Sequence, residues 1–228
     1  MSTSAFNPLG EFNPLAPIDT LVLAQAKVLQ VQLPDAPKGD ISRIYLHWSV
    51  AKPCVDFPDY NVMVTIKDGH HELDITHDPR DNALSTFKPS YATHTYHRNK
   101  GAVGICLAGM DGATEQDYGP DPVTVAGLTY LCAAAAVVAL KYGIDLSQFS
   151  EPGPVGAYAN ETIILTHAEA ANRPGEPLQY ENYFVSGERW DLGSFTAVPS
   201  GHTLTVVDIT ACGNALRKMA HNYKVALE

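Results

Sequence analysis

Ile-Ser-Arg-Ile-Tyr-Leu-His-Trp-Ser, residues 41–49, is a short run of aliphatic and aromatic residues that closes on a histidine, His47. The run predicts a buried strand. An imidazole at the end of an apolar strand is chemically equipped to bind a metal, but a single histidine beside an apolar run commonly does no more than satisfy local hydrogen bonds. What His47 means depends on whether partners for it occur elsewhere in the chain.

Working outward, two more apolar runs read as strands. Gly-Ala-Val-Gly-Ile-Cys-Leu-Ala-Gly at 101–109 is continuous, the pattern of a central strand covered on both faces. Thr162–Thr166 is shorter and, like the first run, leads into a histidine, His167. Tyr60–Ile66 alternates as a strand does, Lys67-Asp68-Gly69 is a hairpin turn signal, and His70–Ile75 is the return strand. Pro122–Tyr142 predicts the main helix, with Leu128, Leu131, Cys132, Ala135, Val138 and Ala139 on one side and Gly143 as its C-terminal cap. The tail from Thr203 to Asn222 suggests a strand or helix start at Asp208, then a terminal helix carrying Leu216 and Met219. Residues 76–100 are polar and contain Pro79 and Pro89, which predicts a long surface loop of the kind that often carries function. Residues 18–33 fit a short helix capped by Asp19 or Thr20, yet the alternation Leu-Gln-Val-Gln-Leu at 29–33 fits a strand equally. Phe-Asn-Pro-Leu occurs at 6–9 and again at 12–15 in an irregular arm. The expectation is an α/β fold, a central mixed β-sheet flanked by helices, with an arm at 1–40 and one domain over 41–228.

Composition narrows the function classes. The chain has 228 residues, 45% hydrophobic and 18% charged, enough to bury a core. A formal net charge of −10 with no basic cluster argues against nucleic acid as a partner, because phosphate neutralisation needs grouped Lys and Arg. The apolar run around Ala133–Leu140 is short for a bilayer span, so no membrane insertion is expected. The first residues lack a basic region followed by an apolar core, so the expected localisation is cytoplasmic at synthesis, without a signal peptide. Cys54, Cys106, Cys132 and Cys212 show no metal-type spacing and read as reduced thiols.

Two strand ends thus carry histidines, His47 and His167, and a carboxylate, Asp191, follows 24 positions after the second. Two neutral imidazoles and one carboxylate suit Zn2+ with a fourth position left open. His70, His71 and His77 form another cluster, but adjacent strand residues face opposite ways, so a solvated hairpin edge is the simpler reading.

Four segments in order resemble the zinc-dependent N-acetylmuramoyl-L-alanine amidase family, which includes phage amidase lysozymes and peptidoglycan recognition proteins. They are Ile-Tyr-Leu-His-Trp-Ser at 44–49, Tyr-Asn-Val-Met-Val-Thr-Ile-Lys-Asp-Gly at 60–69, the stretch from His94 to Gly109, and Ile-Leu-Thr-His-Ala-Glu at 164–169 followed by Arg-Trp-Asp-Leu-Gly at 189–193. The resemblance implies one Zn2+ per chain on His47, His167 and Asp191. It implies catalytic roles for Tyr60 and Arg189, a substrate-binding role for His94, and peptidoglycan as partner. In the phage branch a lysine stands where Arg189 is, and arginine cannot serve as an acid near neutral pH. Another branch has a catalytic glutamate where this chain has Cys106, which favours the tyrosine-type site. The implied reaction is hydrolysis of the amide between N-acetylmuramic acid and L-alanine, as in a phage-type endolysin. The rival readings are an intracellular amidase that recycles muropeptides, a non-catalytic peptidoglycan-binding module, and a structural protein in which the arm directs assembly.

Overall fold

The computed structural model describes residues 12–95, 98–114, 117–147, 164–171, 191–193 and 206–228. Among the described residues, five strands form one mixed sheet: β1 (Arg43–Trp48), β2 (Val62–Lys67), β3 (His70–Ile75), β4 (Ala102–Leu107) and β5 (Ile164–Thr166), in the spatial order β3-β2-β4-β1-β5. The β2–β3 hairpin is antiparallel, and the other pairings are parallel. The hairpin turns on Asp68 and Gly69, whose φ angles of 50° and 81° are the left-handed values that a two-residue hairpin loop requires. The strand expected to be central is central: β4 lies between β2 and β1, and all six of its residues are buried.

The two faces of the sheet have different neighbours. Ile44, Leu46 and Trp48 of β1, Val62 and Val64 of β2, and Val103, Ile105 and Leu107 of β4 belong to the main core. Three helices supply most of the rest of that core: α1 (Thr20–Gln32), α2 (Val125–Tyr142) and α4 (Val206–Leu227). The alternate residues turn to the opposite face, where Tyr45, Ala102 and Leu165 form one small cluster and Met63, Cys106 and Ala108 form another. His47 is in this second set, facing away from the three long helices.

In the first helix, α-geometry prevails over the alternation at 29–33. Asp19 caps it, its side chain accepting from the N–H groups of Leu21 and Val22. Val22, Ala26, Leu29 and Leu33 then fall on one helical face and enter the same core as the sheet, although α1 precedes the boundary expected at residue 40. α2 begins at Thr124, whose side chain accepts from the Gly127 N–H, and ends at Gly143 with φ 71°. By length and composition α2 is apolar enough to cross a membrane, with a mean hydropathy of 1.6, but 67% of it is buried inside the protein. It is apolar nearly all round because the sheet, α1 and α4 all pack on it. The tail is helical throughout 206–227, so the strand alternative at 203–208 fails over its described part.

The loop after β3 departs from expectation. It is not simply a surface loop: Asn82, Ala83, Ala92, His94, Thr95, Arg98 and Asn99 are buried. Three asparagines account for this. The Asn61 side chain accepts from the Gly104 N–H at 2.9 Å and donates to Asn82 Oδ1 at 3.0 Å. Asn82 Nδ2 donates to the carbonyls of Ala92 and Asn99, and its Oδ1 accepts from the Ala92 N–H. Asn99 Oδ1 accepts from the Thr95 N–H at 2.7 Å. Buried polar groups persist when they are paired in this way. Asn82→Ala strands several buried partners at once, and we expect it to lower unfolding stability by about 3 kcal/mol, read as a fall in the urea midpoint at unchanged m-value.

Candidate metal centre

β1 and β5 run parallel, with Leu46 opposite Thr166. The residue after each is a histidine, so the register brings His47 and His167 close together at the carboxyl ends of the strands, where open α/β sheets usually place ligands. His167 opens the short helix α3 (His167–Ala171). That turn is fixed by a reciprocal pair: the Glu169 N–H donates to Thr166 Oγ1 at 3.1 Å, and the Thr166 N–H donates to Glu169 Oε2 at 2.9 Å. Asp191 is brought in from a distant segment, its carbonyl accepting from the Ala168 N–H at 3.3 Å, and Leu192 beyond it turns through φ 59°.

Three donor atoms converge. His47 Nδ1 lies 3.0 Å from His167 Nδ1. Asp191 Oδ2 lies 3.3 Å from His47 Nδ1 and 3.2 Å from His167 Nδ1. Tetrahedral zinc with bonds of about 2.0–2.1 Å holds its ligand atoms roughly 3.3–3.4 Å apart. The triangle therefore has nearly the right edges for one ion above its plane. Two imidazoles offering the same nitrogen to one point can share at most one proton between them, whereas a cation satisfies both lone pairs and the carboxylate together. Among the described residues this is the one group of three or more His, Cys, Asp or Glu side chains placed to hold a metal ion. Burial would raise the Asp191 carboxyl, but the imidazoles of His167 and His47 outweigh it and hold the group well below the usual carboxylate range.

Around the triangle, Thr95 Oγ1 lies 3.3 Å from His47 Nε2 and 2.9 Å from His94 Nδ1. It thus engages the ring nitrogen of His47 that the triangle does not use, the arrangement that orients metal-bound histidines. His94 lies over Gly104, where a Cβ would come within 2.2 Å of its ring. Only glycine on β4 admits the ring there. At 5% exposure His94 is buried, its ring 5.7 Å from that of His47, and its Nε2 has no hydrogen-bond partner among the described residues. Burial, then the neighbouring His47 and His167, push its pKa well down, which keeps it neutral. The Tyr60 ring is 5.2 Å from the His47 ring. Cys106 stands directly opposite His47 in the β1–β4 register. Burial, Cys106 and Asp191 push the Tyr60 phenol up. Burial and Asp191 likewise raise the Cys106 thiol, with Tyr60 as its hydrogen-bond neighbour.

The structure thus brings His47, His167 and Asp191 together, with Tyr60 and His94 against them. Arg189 and the adjacent Glu188 lie outside the described residues. Thr95 escaped the sequence reading because nothing in a polar loop marks one threonine for a partner 48 residues away. The second histidine cluster does not form a metal group: His71 stacks on Tyr130 at 5.2 Å, and His77 lies 3.6 Å from Asp81. Comparison with family models, with curated proteins and with solved structures finds no match to this chain.

Metal analysis of protein exposed to Zn2+ is expected to find one tightly held ion per chain, lost in His167→Ala.

Proposed function

We propose that the chain is a zinc-dependent amidase that hydrolyses the bond between N-acetylmuramic acid and L-alanine in bacterial peptidoglycan, in the manner of a phage-type endolysin. The observation that carries the reading is the donor triangle of His47, His167 and Asp191, with Tyr60 beside it, in the order and on the elements that the sequence resemblance implies. A zinc ion held there would supply Lewis acidity, polarising an amide carbonyl and acidifying water.

The chain's own groups have separable parts in this reaction. Asp191 contributes one negative charge against a dication and leaves net positive charge at the centre. His94, kept neutral by burial, adds no charge that would oppose the ion. Tyr60 stays protonated, because burial raises its phenol, and so remains a hydrogen-bond donor for an oxyanion that develops on the scissile carbonyl. Cys106, a neutral thiol at the position where one branch of the family carries glutamate, is no general base. That leaves Tyr60 and, from the resemblance, Arg189 as the side chains that act on the reacting group. A formal charge of −10 gives no attraction to anionic wall polymers, so recognition rests on contacts beside the centre or on the N-terminal arm.

Zinc-loaded protein incubated with purified sacculi is expected to release stem peptides with free L-alanine amino termini and to generate no new reducing ends. Tyr60→Phe is expected to keep its zinc and lose about 10²–10³ in kcat, the usual effect of removing one oxyanion donor. Failure of zinc-loaded protein to cleave either sacculi or soluble muropeptides overturns the reading. Cleavage of soluble muropeptides alone assigns the recycling role instead.

A further inference from the structure

Two residues beyond His167, Glu169 is fully buried, and so is its partner on α4, Arg217; their side chains are 0% and 1% exposed. Arg217 Nη1 donates to Glu169 Oε2 at 2.7 Å and Nη2 donates to Oε1 at 2.8 Å, a two-pronged fork. Nη1 also donates to the Ile164 carbonyl of β5 at 2.9 Å. Nε and Nη2 reach Asn214 Oδ1 at 3.1 and 2.7 Å. These contacts match the five N–H donors of a guanidinium. α4 comes this close because residue 213 is glycine: a Cβ there would lie 2.2 Å from the Glu169 carboxylate.

Burying two charges adds little net stability over an apolar pair of the same volume. What the pair adds is direction. One planar fork grips the chain on both sides of His167, at Ile164 before it and at Glu169 after it. Glu169 also closes the Thr166 turn from which the His167 side chain projects. We propose that Arg217 is a positioning residue for His167, acting through Glu169 and the Ile164 carbonyl to hold the imidazole in the donor triangle. This rests on the metal-centre reading, and it makes α4 a working part of that centre although none of its side chains is in the triangle.

The test compares the wild type with Arg217→Lys, which keeps the charge and loses the fork, and with Asn214→Ala, which keeps the ion pair and loosens the guanidinium. Val22→Ala, in the core on the other face, serves as a control for lost stability alone. Zn2+ affinity is measured by competition with a chromophoric chelator, and coordination geometry by the visible absorption of Co2+-loaded protein. We expect Arg217→Lys to weaken Zn2+ binding by about 10- to 100-fold, as loss of outer-shell support does, and to alter the Co2+ bands. Val22→Ala is expected to lower the melting temperature and change neither. If Arg217→Lys does not fold, Asn214→Ala is read by the same criteria. Variants that bind as the wild type does, with an unchanged Co2+ spectrum, overturn this proposal alone. A wild type that binds no metal overturns the metal centre, and the proposal with it.

Discussion

The pairing of β1 with β5 is the contact on which the centre depends. It is short, three residue pairs in all, and it is parallel. Parallel pairing carries both strands to the same end of the sheet, and the Leu46–Thr166 register delivers the residues that follow, His47 and His167, to one point. A slip of one residue would turn His47 towards the three long helices, because side chains alternate between faces. The apolar alternation of β1 opposes that slip: Ile44, Leu46 and Trp48 would leave the main core with it. The hydrophobic pattern that makes the strand therefore also aims the imidazole.

The sheet divides labour between its faces. On one side, α1, α2 and α4 supply an apolar layer, to which α4 adds the buried Arg217 that grips Glu169. On the other, the described residues form two small apolar clusters with buried polar groups among them. A loop that would ordinarily run over the surface is drawn in by Asn61, Asn82 and Asn99, and it presents Thr95 to the back of His47. Gly104 on the central strand is the matching concession: the backbone there stays bare so that His94 fits. Each device exchanges apolar packing for fixed direction, which is what a ligand set requires, since small displacements of supporting groups are felt at the ligands.

The electrostatic pattern is consistent with that division. Opposing tendencies meet on Asp191, where burial alone would favour the neutral acid and the imidazoles favour the carboxylate. The imidazoles prevail. Around it, burial pushes Tyr60 and Cys106 towards their neutral forms and does the same for His94 from the basic side. The result is one fixed negative charge among groups that stay uncharged near neutral pH. Such a site favours a cation and keeps hydrogen-bond donors available, and it contains no spare carboxylate at position 106 to act as a base.

Much of the frame was legible in the sequence because its signals are local. Alternation and apolar runs marked β1, β2 and β4, Asp68-Gly69 marked the hairpin, and Gly143 marked the end of α2. Residues 29–33 satisfied a strand and a helix alike, and only packing of Leu29 and Leu33 into the main core separates the two. The polar loop looked like surface because composition does not reveal that its amides find one another inside. Arg217 carried no mark at all, its carboxylate partner being 48 positions away. Neighbours in the chain were enough to mark most strands, the main helix, and the histidines His47 and His167 at strand ends. Only the tertiary structure decided that these histidines share a point with Asp191, since convergence depends on strand order and register, which are set by contacts between residues far apart in sequence.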